Sequence, residues 1–176
     1  MLEDKELTKK AKQGDAEAFG LLYDKHLNQI YRFVYLKVSS KQIAEDLTQQ
    51  VFLSAWQNIN SYQQQGFPFT SWLYRIARNA VIDHYRTRRS NVDLEAVAEV
   101  ASSFDLVGEL EVKLELEKIK SALVGLPADY QDVLVMRFIE ELSHQEIAAA
   151  LDKSEGAVRV LQHRAINSLK KILNKT

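Results

Sequence analysis

The sequence predicts an all-α protein: two small helical domains joined by an acidic linker, the second containing a helix-turn-helix. Three observations carry that prediction. Six glycines and two prolines in 176 residues leave room for few turns, and continuous strand-like alternation is absent. Apolar residues instead recur with the 3.6-residue period of helices. Between Asp93 and Glu117 the composition changes abruptly, to eight acids against one base, Lys113. The domains are therefore read as residues 1–89 and 109–176, with 90–108 as a flexible acidic linker.

The bulk composition narrows the function classes. Hydrophobic residues make up 46% of the chain, enough for real cores. Lys plus Arg number 23 against 24 Asp plus Glu, so basic surfaces must be local and set against acidic ones. There is no cysteine, which excludes disulfides, thiolate metal sites and cysteine nucleophiles. The N-terminal MLEDKELTKK has no apolar targeting core, and no apolar run reaches membrane-spanning length. A cytoplasmic protein without membrane insertion is expected.

A short helix is expected over residues 2–13, ended by Gly14, with Asp15 capping the next. That second helix carries a broad stripe of Phe19, Leu22, Tyr23, Leu27, Ile30, Tyr31 and Val34, with His26 beside it as a surface or structural residue. Ser39 and Ser40 break the chain and start a third helix. Its apolar side holds Ile43, Leu47, Val51 or Phe52, and Ala55 or Trp56; Glu45, Asp46, Gln49 and Gln50 lie opposite. The loop NSYQQQGFPFTS then places Tyr62, Phe67 and Phe69 near one another, and at least one ring is expected to pack back onto the bundle. Thr70 or Ser71 begins a fourth helix with Leu73, Ile76, Ala77, Ala80 and Val81 facing inwards. Its other side carries Arg75, Arg78, Arg86, Arg88 and Arg89 against the single acid Asp83, an arrangement that suits phosphates beside stacked bases.

After the linker a helix is expected from about Gly108, with Leu110, Leu114, Leu116, Ile119 and Leu123 available for packing. Leu126-Pro127 closes it. The next helix draws core residues from Val133, Leu134, Met136 and Phe138. Ser143 and Glu146 then form a capping box, ahead of Ile147, Ala148 and Leu151 on one helical face. Asp152 and Lys153 fit a tight turn, and Ser154 caps a last helix with Val158, Leu161 and Ala165 on one side. From Gly156 to Thr176 there are five cations, Arg159, Arg164, Lys170, Lys171 and Lys175, and no acid. A capped hairpin is common in all-helical proteins, but one with a basic second helix has the elements of a helix-turn-helix, whose second helix can enter a DNA major groove.

AEDLTQQVFLSAW, then FTSWLYRIARNAVIDHYR, then LPADYQDVLVMRFIEELSHQEIAAALDKSEGAVRVLQHRA stand in this order across most of the chain. Together they resemble the extracytoplasmic-function group of bacterial sigma-70 family sigma factors, in which region 2 is followed by region 4. The resemblance implies a protein that directs RNA polymerase core to promoters and assists promoter melting. It implies that Asp46, Gln49, Gln50 and Phe52 face the clamp helices of the polymerase beta-prime subunit, with Leu47 supporting the fold. It assigns Phe69, Trp72, Arg75, Arg78, Asn79, Asp83 and Arg86 to the -10 element. Ser154, Glu155, Arg159, Val160, Gln162, His163 and Arg164 are assigned to the -35 element, near the polymerase beta flap, with the tether entering the polymerase channel. Control is expected from an anti-sigma factor.

Four positions depart from the family pattern. Leu161 and Gln162 exchange the usual order of polar and apolar residues, which leaves the DNA-facing side of the last helix open. Val160 replaces a small polar residue and suits a thymine methyl. Ser71 stands where a basic residue is frequent. No catalytic residue, cofactor or metal is expected, because the four histidines, 26, 84, 144 and 163, are dispersed. The alternative is a polymerase-independent helix-turn-helix regulator whose N-terminal bundle dimerises or senses a signal.

Overall fold

A computed structural model describes residues 3–63, 66–90 and 118–175. The order is α1 (Asp4–Lys12), α2 (Ala16–Val38), α3 (Lys41–Gln57), a 3₁₀ turn at Ile59–Ser61, and α4 (Phe69–Ser90). Then come α5 (118–124), α6 (Ala128–Leu134) continued by a π-helical turn at Val135–Ile139, α7 (His144–Leu151) and α8 (Glu155–Leu173). The acidic linker at 90–108 lies outside the described residues except for Ser90, which ends α4. The expected helical start from Gly108, with Leu110, Leu114 and Leu116, also lies outside them.

Short polar side chains set the helix boundaries. Asp15 accepts from the Ala18 amide at 3.0 Å, and Ser40 from the Ile43 amide at 3.4 Å. Ser39 turns the chain between α2 and α3 at a φ of 54°. Ser143 and Glu146 complete the expected capping box, each bonding the other's amide, at 3.2 and 2.7 Å. Asp152 closes α7 in the left-handed region at φ 54°, and Ser154 caps α8 by accepting from the Ala157 amide at 3.1 Å. Losing such a cap costs about 1 kcal/mol.

In the first module α2, α3 and α4 pack around Leu22, Ile30, Phe33, Val34, Val51, Leu73 and Tyr74, and α1 closes one side with Leu7 and Ala11. The second module packs α6, α7 and α8 around Val133, Met136, Ile147, Val158 and Ala165. The two modules are not held apart. α4 lies against α7, and the buried apolar residues of both join into one cluster.

Several expectations need correction. Helix α4 begins at Phe69, one residue before Thr70 and two before Ser71. His26, by contrast, takes the structural one of its two expected roles: it is buried and bridges Asp4 and Gln29 through its two ring nitrogens, at 2.8 and 2.7 Å. Phe138 is 57% exposed and Ile119 42% exposed, so neither is a core residue. The π-turn rotates the chain after Met136, which leaves Phe138 on the outside while Val135 and Met136 stay buried. No described helix is long and apolar enough to cross a membrane.

Candidate nucleic-acid and polymerase interfaces

On α3, Asp46, Gln49 and Gln50 are exposed along one edge. Phe52 is not: it is 3% exposed and sits edge-on to Tyr23, with ring centroids 4.7 Å apart. It shapes the surface from beneath. Above it, Phe19, Tyr23, Gln49, Leu53 and Trp56 line an open groove of ≈ 370 Å³ between α2 and α3. Leu53 is 56% exposed there. Sequence reading passed over it because it falls one step off the apolar stripe, and that misplacement was the available signal.

The aromatic loop is mostly core. Tyr62 and Phe69 are buried, while Phe67 is half exposed. Tyr62, Phe69 and Trp72 form a cluster with centroid separations of 5.3 to 5.7 Å. Phe69 therefore positions the start of α4 and is not itself a contact surface, a second correction. Trp72 keeps a partly exposed face. Farther along α4, Asn79, Asp83 and Arg86 are exposed, and Arg86 pairs with Asp83 at 3.0 Å.

Arg75 and Arg78 behave differently. Arg78 donates through Nε to Asp132 Oδ2 at 2.7 Å and through Nη2 to Asp129 Oδ1 at 2.6 Å. Arg75 Nη2 donates to the Ala149 carbonyl at 2.5 Å and stands 3.8 Å from Asp152. All of these acceptors belong to the second module. Lys37 joins them by donating to Asp132 Oδ1, and both residues of that pair are buried. Arg32 grips Glu140 with two bonds of 2.7 Å, and the buried Tyr74 hydroxyl donates to the same carboxylate at 3.0 Å. Ser71 is buried and donates to the Glu146 carbonyl at 3.0 Å, so its place beside DNA is taken by an intramolecular bond.

Electrostatics follow this geometry. Burial opposes the charge on Arg78, but the bonds and attraction from Asp132 and Asp129 outweigh it and raise its pKa. The Glu140 hydrogen bond raises that of Arg32. Burial, reinforced by the Glu140 carboxylate, pushes the Tyr74 phenol far above its ordinary range. None of Lys37, Asp129, Asp132 and Glu140 was singled out from sequence. Their partners lie 51 to 108 residues away, and no local pattern signals them.

The last helix resolves the register question. Val158 and Ala165 are fully buried and Leu161 is partly buried, so the apolar stripe faces α6 and α7. Gln162 accepts through Oε1 from His144 Nε2 at 2.7 Å and braces α8 on α7. Val160 is 51% exposed, with Arg159, His163 and Arg164 also outside. Ser154 and Glu155 are exposed at the helix start, where Ser154 serves as the cap and Glu155 reaches Arg159 at 3.5 Å. Among the described residues no group of three or more His, Asp or Glu is arranged to hold a metal.

Comparison with known proteins matches this architecture. Residues 22–91 match Sigma-70 region 2 and residues 122–171 match Sigma-70, region 4. The chain is 37% identical to the ECF RNA polymerase sigma factor BldN of Streptomyces coelicolor, over 96% of this chain and 65% of that protein. It is 32% identical to the ECF RNA polymerase sigma factor SigW of Bacillus subtilis, over 96% of both. Among solved structures it resembles CnrH, determined with the cytosolic domain of CnrY. The TM-score is 0.75 at 27% identity, over 98% of this chain and 97% of that one. It also resembles RpoE, determined with the anti-sigma factor NepR from Bartonella quintana. There the TM-score is 0.73 at 25% identity, over 90% and 98% of the two chains. With both regions present in order on the fold described, the chain belongs to the sigma-70 family, among its ECF RNA polymerase sigma factors.

Proposed function

We propose that this sigma factor, which directs RNA polymerase to promoters, divides its work among three surfaces on two domains, residues 1–89 and 109–176. The exposed edge of α3 with its apolar groove docks on the beta-prime clamp helices. The outer side of α4, with the partly exposed Trp72, takes the -10 element and holds the opened non-template strand. The outer side of α8 reads the -35 element. Phosphate contacts set the register while base-edge contacts supply the sequence preference. The observation that carries this reading is the capped α7–turn–α8 unit, which buries Val158 and Ala165 and turns Arg159, Val160, His163 and Arg164 outwards.

The chemistry of nucleotide addition belongs to polymerase, so no catalytic residue is required here. The affinity for a promoter comes from fixing both domains on one enzyme, which makes the second contact intramolecular. CnrH and RpoE were determined with protein partners, the latter an anti-sigma factor. A comparable anti-sigma partner supplies control of this chain. Transcription in vitro with purified core polymerase over a genomic fragment library is the test. Start sites with shared paired elements upstream are the expected result. Sequence-specific duplex binding by a dimer without polymerase, and no core-dependent transcripts, overturns it in favour of a free-standing regulator.

A further inference from the structure

Helix α1 takes no part in the three interfaces, and it lies outside the residues matching Sigma-70 region 2, which begin at residue 22. Yet both of its ends hold the aromatic cluster at the start of α4. At the C-terminal end, Lys12 Nζ donates to the Tyr62 carbonyl and stands 5.4 Å from the centre of the Tyr62 ring. At the N-terminal end, Asp4 accepts from His26 at 2.8 Å, and the His26 ring lies 5.7 Å from that of Phe69. We propose that α1 sets the geometry of the -10 surface, with Lys12 as a positioning residue that acts through Tyr62 on Phe67 and Trp72.

Tyr62 transmits the effect. Its hydroxyl donates to the Phe67 carbonyl at 2.8 Å, so one side chain spans the loop ahead of α4. Its ring stands edge-on to Phe69, with centroids 5.5 Å apart, and 5.3 Å from Trp72. Phe67 is 50% exposed and Trp72 partly exposed, so these two rings are open to unpaired bases. The contacts run in series, and a shift of Tyr62 moves both rings. A lysine suits this task. Its one ammonium makes a charge-assisted bond to the carbonyl and a cation–π contact to the ring, which fixes the backbone and side chain of Tyr62 together.

This inference rests on the reading of Trp72 as part of the -10 surface. The test is transcription in vitro with core polymerase, using a promoter mapped with the genomic library. Copies of that promoter carry single-base changes in the -10 element and keep the same -35 element. The quantity read is the ratio of transcript from the mapped promoter to transcript from each changed copy. Lys12→Met keeps the aliphatic stem and removes the ammonium. It is expected to shrink the largest ratio by about tenfold, the scale of one hydrogen bond to a charged group. Lys12→Arg is expected to restore most of it. Loss of folded protein or of core affinity lowers every template alike and leaves the ratio as it was, so a purely structural role does not move it.

Tyr62→Phe keeps the ring and the carbonyl and removes only the hydroxyl bond to Phe67. It is expected to shrink the same ratio, and to add little when combined with Lys12→Met, because both loosen one series of contacts. An unchanged ratio in Lys12→Met, or a Lys12→Arg variant as indiscriminate as Lys12→Met, overturns the positioning role and leaves the sigma-factor reading standing on the wild-type transcripts. If Lys12→Met does not fold, an unchanged ratio in Tyr62→Phe overturns it instead. No core-dependent transcript from the wild-type chain overturns both.

Discussion

Phe69 is a residue whose sequence context and structural role diverge. It sits beside arginines in a stretch that reads as a DNA contact, yet it is 2% exposed beneath Tyr62 and Trp72. Truncating a buried aromatic ring leaves a cavity, so Phe69→Ala is expected to cost about 3–5 kcal/mol. Urea unfolding without DNA checks this; a change below about 0.5 kcal/mol returns Phe69 to the surface. Asp4 supports a second prediction. Burial raises its pKa, but hydrogen bonds and charge from His26 and Lys25 outweigh that and hold it at about 2, against an ordinary 3.8. A lowered folded-state pKa adds stability above the unfolded value, lost as pH falls from near 4 toward 2. Asp4→Asn is expected to remove that contribution, so unfolding curves of the two proteins converge across this window. Curves separated by the same amount at pH 6 and at about pH 2 sink the assignment.

Helices were legible where their signals were local. Ser39–Ser40, Ser143 with Glu146, and Ser154 marked boundaries from sequence because a cap is made within a few residues of itself. The inward stripe of α8 was legible for the same reason, and its exposed Val160 and Arg164 follow from it. What escaped were residues one step off a stripe, such as Leu53, and helix ends altered by the π-turn, such as Phe138. The groove beneath Leu53 yields a prediction for α3. Leu53→Asp puts a charge into an apolar rim and is expected to weaken core polymerase binding by at least about tenfold, a loss of roughly 1.4 kcal/mol. Its surface position keeps the change in folding stability within about 0.5 kcal/mol. Titration of labelled core against the variant measures it, and unchanged affinity excludes the groove from docking.

For the molecule as a body, the surprise is contact between modules that sequence reading set apart. Lys37, Asp132, Glu140 and Arg32 could not be paired in advance, since each looks like an ordinary surface charge in its own helix. Pairing distant charges is information that only tertiary packing holds. Buried pairs are screened far less than exposed ones. The contact between the modules is therefore expected to survive salt: raising it from roughly 0.05 to 0.5 M should leave the hydrodynamic radius of the free chain unchanged. A steady increase over that range shows a loose electrostatic association between the modules. It is the depth of Asp132, not the number of ion pairs, that sets this expectation.

One cluster of buried apolar residues runs through both modules, and α4 lies against α7. The modules are therefore expected to melt together in a single calorimetric transition. Two separated transitions would show that each keeps its own cooperativity.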